Sequence, residues 1–110
     1  MKKEYFIVTT DRNVKRKIFF NDVIYIRADG SYSEIYFTNN KKITLSRLIK
    51  TFMFLETDYN FYRVSRSYII NLDYCIELWK PKKPCVIMAN EYKIFINKKS
   101  YKELLKMEFI

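Results

Sequence analysis

Apolar and polar side chains alternate with a period of two over most of the chain, the spacing that sends successive residues to opposite faces of a β-strand. Residues 5–9 and 17–20 form two such windows. Residues 23–28, Val-Ile-Tyr-Ile-Arg-Ala, are apolar on both faces, which predicts a central strand covered on both sides. Residues 32–38 and 41–45 flank Asn39-Asn40 and predict a hairpin, because asparagine tolerates the left-handed backbone of a tight turn. A second hairpin is predicted for residues 85–88 and 92–96 across Ala89-Asn90-Glu91, and residues 60–78 read as strand with a break near Leu72-Asp73.

Helical spacing occurs twice. Residues 46–55 place Leu48, Ile49, Phe52, Met53 and Leu55 on one side with Ser46 as N-cap, and residues 97–107 turn Tyr101, Leu104 and Leu105 inward behind Asn97. Lys98 and Lys99 then fall in a first helical turn, where cations oppose the helix dipole by roughly a few tenths of a kcal/mol. That small cost makes sense if they meet an anion, and is also simply tolerable. The segment Trp79-Lys80-Pro81-Lys82-Lys83-Pro84 is the one shift in composition, and its prolines confine it to a turn or sheet edge rather than a domain linker. With no internal repeat, the 110 residues are expected to form one β-rich domain over residues 1–110.

Composition narrows the function. Apolar residues at 49% and aromatic residues at 18% exclude disorder despite 30% charged residues. No apolar run reaches the roughly 18 residues of a membrane span, and Met1-Lys2-Lys3-Glu4 leads into no signal-peptide core, so a cytoplasmic location is expected. The absence of histidine removes the usual general base and zinc ligand. Cys75 and Cys85 stand alone ten residues apart, without metal-site or redox spacing, and a single glycine, Gly30, rules out a glycine-rich phosphate loop. The expectation is a protein with no enzymatic role, metal, cofactor or small-molecule substrate.

Twenty-one Lys and Arg against twelve Asp and Glu leave a net charge of +9, which points to a polyanionic partner. Nucleic acid, an anionic membrane surface and a merely solvated lysine-rich exterior all fit that count. The sharpest cluster is Phe61-Tyr62-Arg63-Val64-Ser65-Arg66-Ser67-Tyr68-Ile69-Ile70-Asn71, where arginines and serines alternate between rigid apolar anchors. Arginine clamps phosphate or reads guanine bidentately, and serine bonds phosphates or bases. The same residues also fit a strand with one polar face; period two then places Arg63 with Ser65 and Ser67, opposite Arg66, and leaves room for one packed arginine.

The order of these motifs resembles the LytTR family of bacterial DNA-binding domains nearly end to end. Asp22-Val23-Ile24-Tyr25-Ile26 and Tyr32-Ser33-Glu34-Ile35-Tyr36 are similar to its first paired strands, and Leu45 through Leu55 to its "Leu-x-x-Leu" helix. Residues 61–71 match its "Phe-x-Arg-Val-His-Arg-Ser-Tyr-Ile-Val-Asn" signature except at Ser65 and Ile70. Ile94-Phe95-Ile96-Asn97-Lys98 follows "Ile-Pro-Val-Ser-Arg" more loosely.

The resemblance implies an elongated, mainly β arrangement of small antiparallel sheets with two short helices. It implies a sequence-specific regulator of transcription whose loops enter successive major grooves of double-stranded DNA, through Ser31 and Ser33, through Arg63, Ser65, Arg66 and Ser67, and through Lys98 and Lys99. Tandem half-sites, a homodimer on DNA, and a missing receiver domain or a membrane-protein regulator are further implications. Lysine at position 98 keeps the charge but loses the arginine fork, whereas Asn97 preserves capping. The alternative is a small basic β module that binds single strands on exposed rings, or binds a protein or membrane surface through residues 80–83.

Overall fold

Residues 4–80 and 82–107 are described by the structure, a computed structural model. Met1, Lys2 and Lys3 at the start of the sequence and Pro81 of the proline loop therefore lie outside the described residues. In chain order the elements are β1 (Tyr5–Thr9), β2 (Lys15–Phe19), β3 (Val23–Asp29), β4 (Tyr32–Phe37), β5 (Lys42–Leu45), α1 (Phe54–Asp58), β6 (Phe61–Arg63), β7 (Tyr68–Asn71), β8 (Cys75–Trp79), β9 (Cys85–Met88), β10 (Lys93–Phe95) and α2 (Lys98–Lys106). Single 3-10 turns cover Phe20–Asp22, Ile49–Phe52 and Leu72–Tyr74.

All strand pairs are antiparallel and form three sheets: β1-β2, β10-β9-β8, and a central five-stranded sheet in the order β5-β4-β3-β7-β6. The expected central strand is β3. Its pairing with β4 shifts between Val23 and Tyr25, and such a bulge re-aims side chains. Val23 and Ile26 enter one apolar cluster with β1, β2 and α1, while Ile24 and Tyr25 enter the other with β8, β9, β10 and α2. Four consecutive buried residues thus serve two cores, each side chain stabilising the fold by roughly 1.5–3 kcal/mol. The described body measures 44 × 34 × 24 Å, an elongated form.

The first helical prediction is corrected. Leu48 is extended (ψ 147°) and 48% exposed, and the buried Ile49 and Phe52 are three residues apart, the repeat of a 3-10 turn rather than an α-helix. Only residues 54–58 are α-helical, and Ser46 caps nothing: its hydroxyl donates to Asp11 Oδ1 at 3.2 Å. The second prediction stands. Asn97 Oδ1 accepts from the Ser100 amide at 2.8 Å, so α2 begins where expected, although Leu105 faces outward while Leu104 is buried. The segment predicted as strand over residues 60–78 is broken twice, at residues 64–67 and at the 3-10 turn. At the β4-β5 turn it is Asn40 that takes the left-handed backbone, φ 65°.

Two polar features stiffen the second core. Tyr25 is stacked between Tyr36 and Tyr92, with ring centroids 4.5 and 5.1 Å away, and the Tyr68 and Tyr92 hydroxyls share a hydrogen bond of 2.9 Å. Burial pushes the phenols of Tyr25 and Tyr68 up, that of Tyr68 to about 12. Cys75 is buried and unpaired, its thiol pushed up to about 12 by desolvation, and Cys85 is likewise buried and free. Burial shields both thiols from solvent.

Glu34 is the one buried carboxylate among the described residues, and it accepts from Lys42 at 2.9 Å, Arg27 at 2.7 Å and Tyr36 at 3.1 Å. The hydrogen bond from Lys42 does most to hold its pKa below the usual 4.5, followed, against the opposing effect of burial, by those from Arg27 and Tyr36. A depressed folded pKa stabilises the native state above the unfolded value, and that contribution is lost as pH falls from about 4.5 through the folded pKa. Thermal unfolding of the native chain and of Glu34→Gln should therefore differ at pH 7 and converge towards pH 3; a constant gap would contradict this role.

Candidate nucleic-acid interface

One end of the central sheet gathers segments that are far apart in sequence. Leu45 of β5 stands opposite Ser33 of β4, and Ser33 opposite Ala28 of β3. The Ala28 amide donates to the Ser67 carbonyl at 2.7 Å, just before β7. Val64, three residues earlier, accepts the Ser100 hydroxyl at 2.6 Å and so ties α2 to the same loop. Because neighbouring strands lie roughly 4.8 Å apart, this row brings the β3-β4 turn, residues 64–67 and the start of α2 to one end of the molecule.

Each segment is locally built to present side chains outward. The β3-β4 turn is Gly30-Ser31, and Gly30 adopts φ 59° with open space around its Cα; the left-handed backbone, not crowding, makes glycine suitable there. In the 64–67 loop, Arg63 acts from the end of β6: its Nε donates to the Ser65 carbonyl at 3.1 Å and an Nη to the Arg66 carbonyl at 3.0 Å. The Ser65 hydroxyl accepts the Ser67 amide at 3.2 Å. These bonds close a tight loop whose apex side chains, Arg66 and Ser67, are exposed. Across a groove of about 470 Å³, lined by Arg63, Ser65, Arg66, Asn97 and Lys99 among others, Lys98 and Lys99 stand exposed on the first turn of α2.

Of the residues expected to reach DNA, Ser31, Arg66, Ser67, Lys98 and Lys99 are exposed at this end. Three others are engaged within the fold. Ser33 is fully buried, its hydroxyl committed to the Arg47 carbonyl at 2.7 Å, because β5 covers β4 at that position. Arg63 is half-buried, with its guanidinium bonded to the loop backbone and 3.6 Å from Met53 Sδ. Ser65 is half-buried and shapes the loop through its Ser67 bond, the local role open to a serine where the family pattern has histidine. Period two could not sort these residues, because positions 64–67 are not strand.

Arg47 went unnoticed in the sequence because residues 46–55 read as a packing helix. It is exposed directly after β5, and its carbonyl is the one that Ser33 holds. Among the described residues, no hydrogen bond or ion pair engages the side chains of Arg47, Arg66, Lys98 or Lys99, in contrast to Arg27, Arg63 and Lys42. No group of three or more His, Cys, Asp or Glu among those residues could hold a metal ion.

A mainly β body that carries unengaged cations at one end offers a surface suited to a polyanion. The sequence profile of the LytTr DNA-binding domain matches residues 13–108, and the chain belongs to that family. In fold it is similar to a solved LytTr DNA-binding domain from Bacillus cereus, described as part of a methyl-accepting/DNA response regulator. The TM-score is 0.76 at 16% identity, over 99% of this chain and 100% of that one. No curated protein sequence matches. Membership supports a DNA-binding regulatory role, and the family is a DNA-binding rather than a catalytic one.

Proposed function

We propose that this chain acts as one unit that binds double-stranded DNA sequence-specifically and regulates transcription, inserting the β3-β4 turn, the Arg66 loop and the start of α2 into successive major grooves. The observation that carries this reading is the hydrogen-bonded row joining Ala28 to Ser67 and Val64 to Ser100, which gathers those segments at one end. Arg66 has the reach and the fork for a guanine edge. Lys98 and Lys99 suit phosphates. The Asp29 carboxylate, exposed at the foot of the Gly30-Ser31 turn, repels phosphate, so a base edge is the better partner for Ser31 there. Two protomers on tandem half-sites, pairing with a receiver domain or a membrane-protein regulator, and a cytoplasmic setting complete the proposal. Among the described residues, no helix is long and apolar enough to cross a membrane.

The rival single-strand reading requires a platform of exposed rings. Among the described residues most rings are buried or packed against the two cores. Six are exposed, Phe19, Tyr32, Phe54, Trp79, Tyr92 and Phe95, and of these Trp79 and Phe95 flank Cys85 in register on the outer face of the three-stranded sheet. The Trp79 indole N–H donates to Glu77 Oε1 at 2.6 Å, so a carboxylate sits beside that pair and opposes a nucleic-acid strand.

Selection from a pool of random duplexes, followed by titration at several salt concentrations, tests the proposal. A common sequence should emerge, and log affinity should fall with log salt at a slope of about −0.9 per phosphate contacted. Equal affinity for single strands, or a flat salt dependence, would overturn it.

A further inference from the structure

The row of linked segments does not stop at β5. The Ser46 hydroxyl donates to Asp11 Oδ1 at 3.2 Å, which fastens the tip of the β1-β2 hairpin beside Arg47. The hairpin runs alongside the central sheet: Phe20 N–H donates to the Glu4 carbonyl at its open end, at 3.0 Å, while its tip reaches the end that carries Arg66. The tip is itself well formed, with Thr10 N–H bonded to the Val14 carbonyl, Asn13 N–H to the Thr10 carbonyl, both at 2.9 Å, and Asn13 in the left-handed region at φ 60°. Arg12 projects from it, exposed, and no other described residue engages its side chain. The only carboxylate of the tip, Asp11, is occupied by Ser46.

We infer that the β1-β2 tip is a further DNA-backbone contact, in which Arg12 and Arg47 hold phosphates flanking the bases reached by the Arg66 loop. The inference rests on the duplex-binding reading and extends its footprint. Neither arginine is aimed by a fixed partner at a base edge, and a flexible exposed guanidinium suits a phosphate, which adds affinity without sequence preference. The geometry also gives the contact a fixed place: Arg47 follows the residue that holds the hairpin, and its own carbonyl is held by the buried Ser33 at 2.7 Å.

The test compares the full chain with Arg12→Ala, Arg47→Ala, the double variant and the charge reversal Arg12→Glu, on a selected duplex and on random duplex DNA. Lys41→Ala, in the β4-β5 turn at the opposite end of the sheet, serves as control. Each alanine should make the slope of log affinity against log salt shallower by about 0.9, and the double variant by about 1.8. Affinity should fall by the same factor for both duplexes, and hydroxyl-radical protection should shorten on one flank. Arg12→Glu should weaken binding beyond Arg12→Ala at an unchanged unfolding temperature, an outcome a purely structural role for Arg12 would not produce. If the double variant keeps the native slope and footprint while Arg66→Ala loses sequence preference, the hairpin contact is wrong and the duplex reading survives. If the native chain binds no duplex at all, both fall.

Discussion

Arg66→Ala is expected to weaken binding to a selected duplex by about 1–3 kcal/mol, roughly 5- to 150-fold, while affinity for random duplex DNA changes far less. The expectation follows from how the 64–67 loop is built. Its backbone carbonyls are held by Arg63 and its turn is closed by Ser65, so the loop keeps its form when the Arg66 side chain is removed. The loss is then confined to whatever the guanidinium touches. Arg63→Ala should behave differently: it frees the Ser65 and Arg66 carbonyls and loosens the loop, so affinity falls together with protection of the loop amides from hydrogen exchange. Equal affinity of the native chain and Arg66→Ala for the selected site would remove Arg66 from the interface.

The second large effect concerns stability. Asn71 closes the 61–71 signature; its side chain is 2% exposed and lies at the junction of β7 with two 3-10 turns. Its Nδ2 donates to the Val23 carbonyl at 3.0 Å and, at 3.4 Å, to that of Phe20, while Oδ1 accepts the Asp73 amide at 3.0 Å. Asn71→Leu keeps the volume but leaves a buried carbonyl and a capped amide without partners, each costing about 1–3 kcal/mol. A loss of about 3 kcal/mol in denaturant unfolding is expected, with the sequence preference of the folded fraction intact. A loss below about 1 kcal/mol would mean that water or a neighbouring group replaces the amide.

These two positions also show how differently a motif can be read. Residues 61–71 carry a cation meant for the outside, a cation that serves the backbone and an amide that serves the core, all within one short run. Arg63 and Arg66 are the same side chain three positions apart. Nothing in their spacing separates them: the strand ends at Arg63, and the Val64 carbonyl that follows accepts the Ser100 hydroxyl instead of continuing the ladder. Ser33 illustrates the converse. A polar residue beside a turn reads as available, yet the return of β5 places a carbonyl 2.7 Å from it and seals it in. Arg47 was hidden by an apolar spacing that fits a 3-10 turn as well as a helix, since Ile49 and Phe52 satisfy both.

The strands and hairpins, the second helix with its asparagine cap, the lack of catalytic histidine and the basic balance were legible from order and composition alone, because they depend on neighbours within a few residues. The tertiary structure decided which cations remain free and which segments share an end, because those follow from carbonyls and hydroxyls tens of residues away that come within 3 Å only after the sheets assemble. Residues 28 and 67, like 64 and 100, meet through backbone geometry that leaves no mark on the linear pattern.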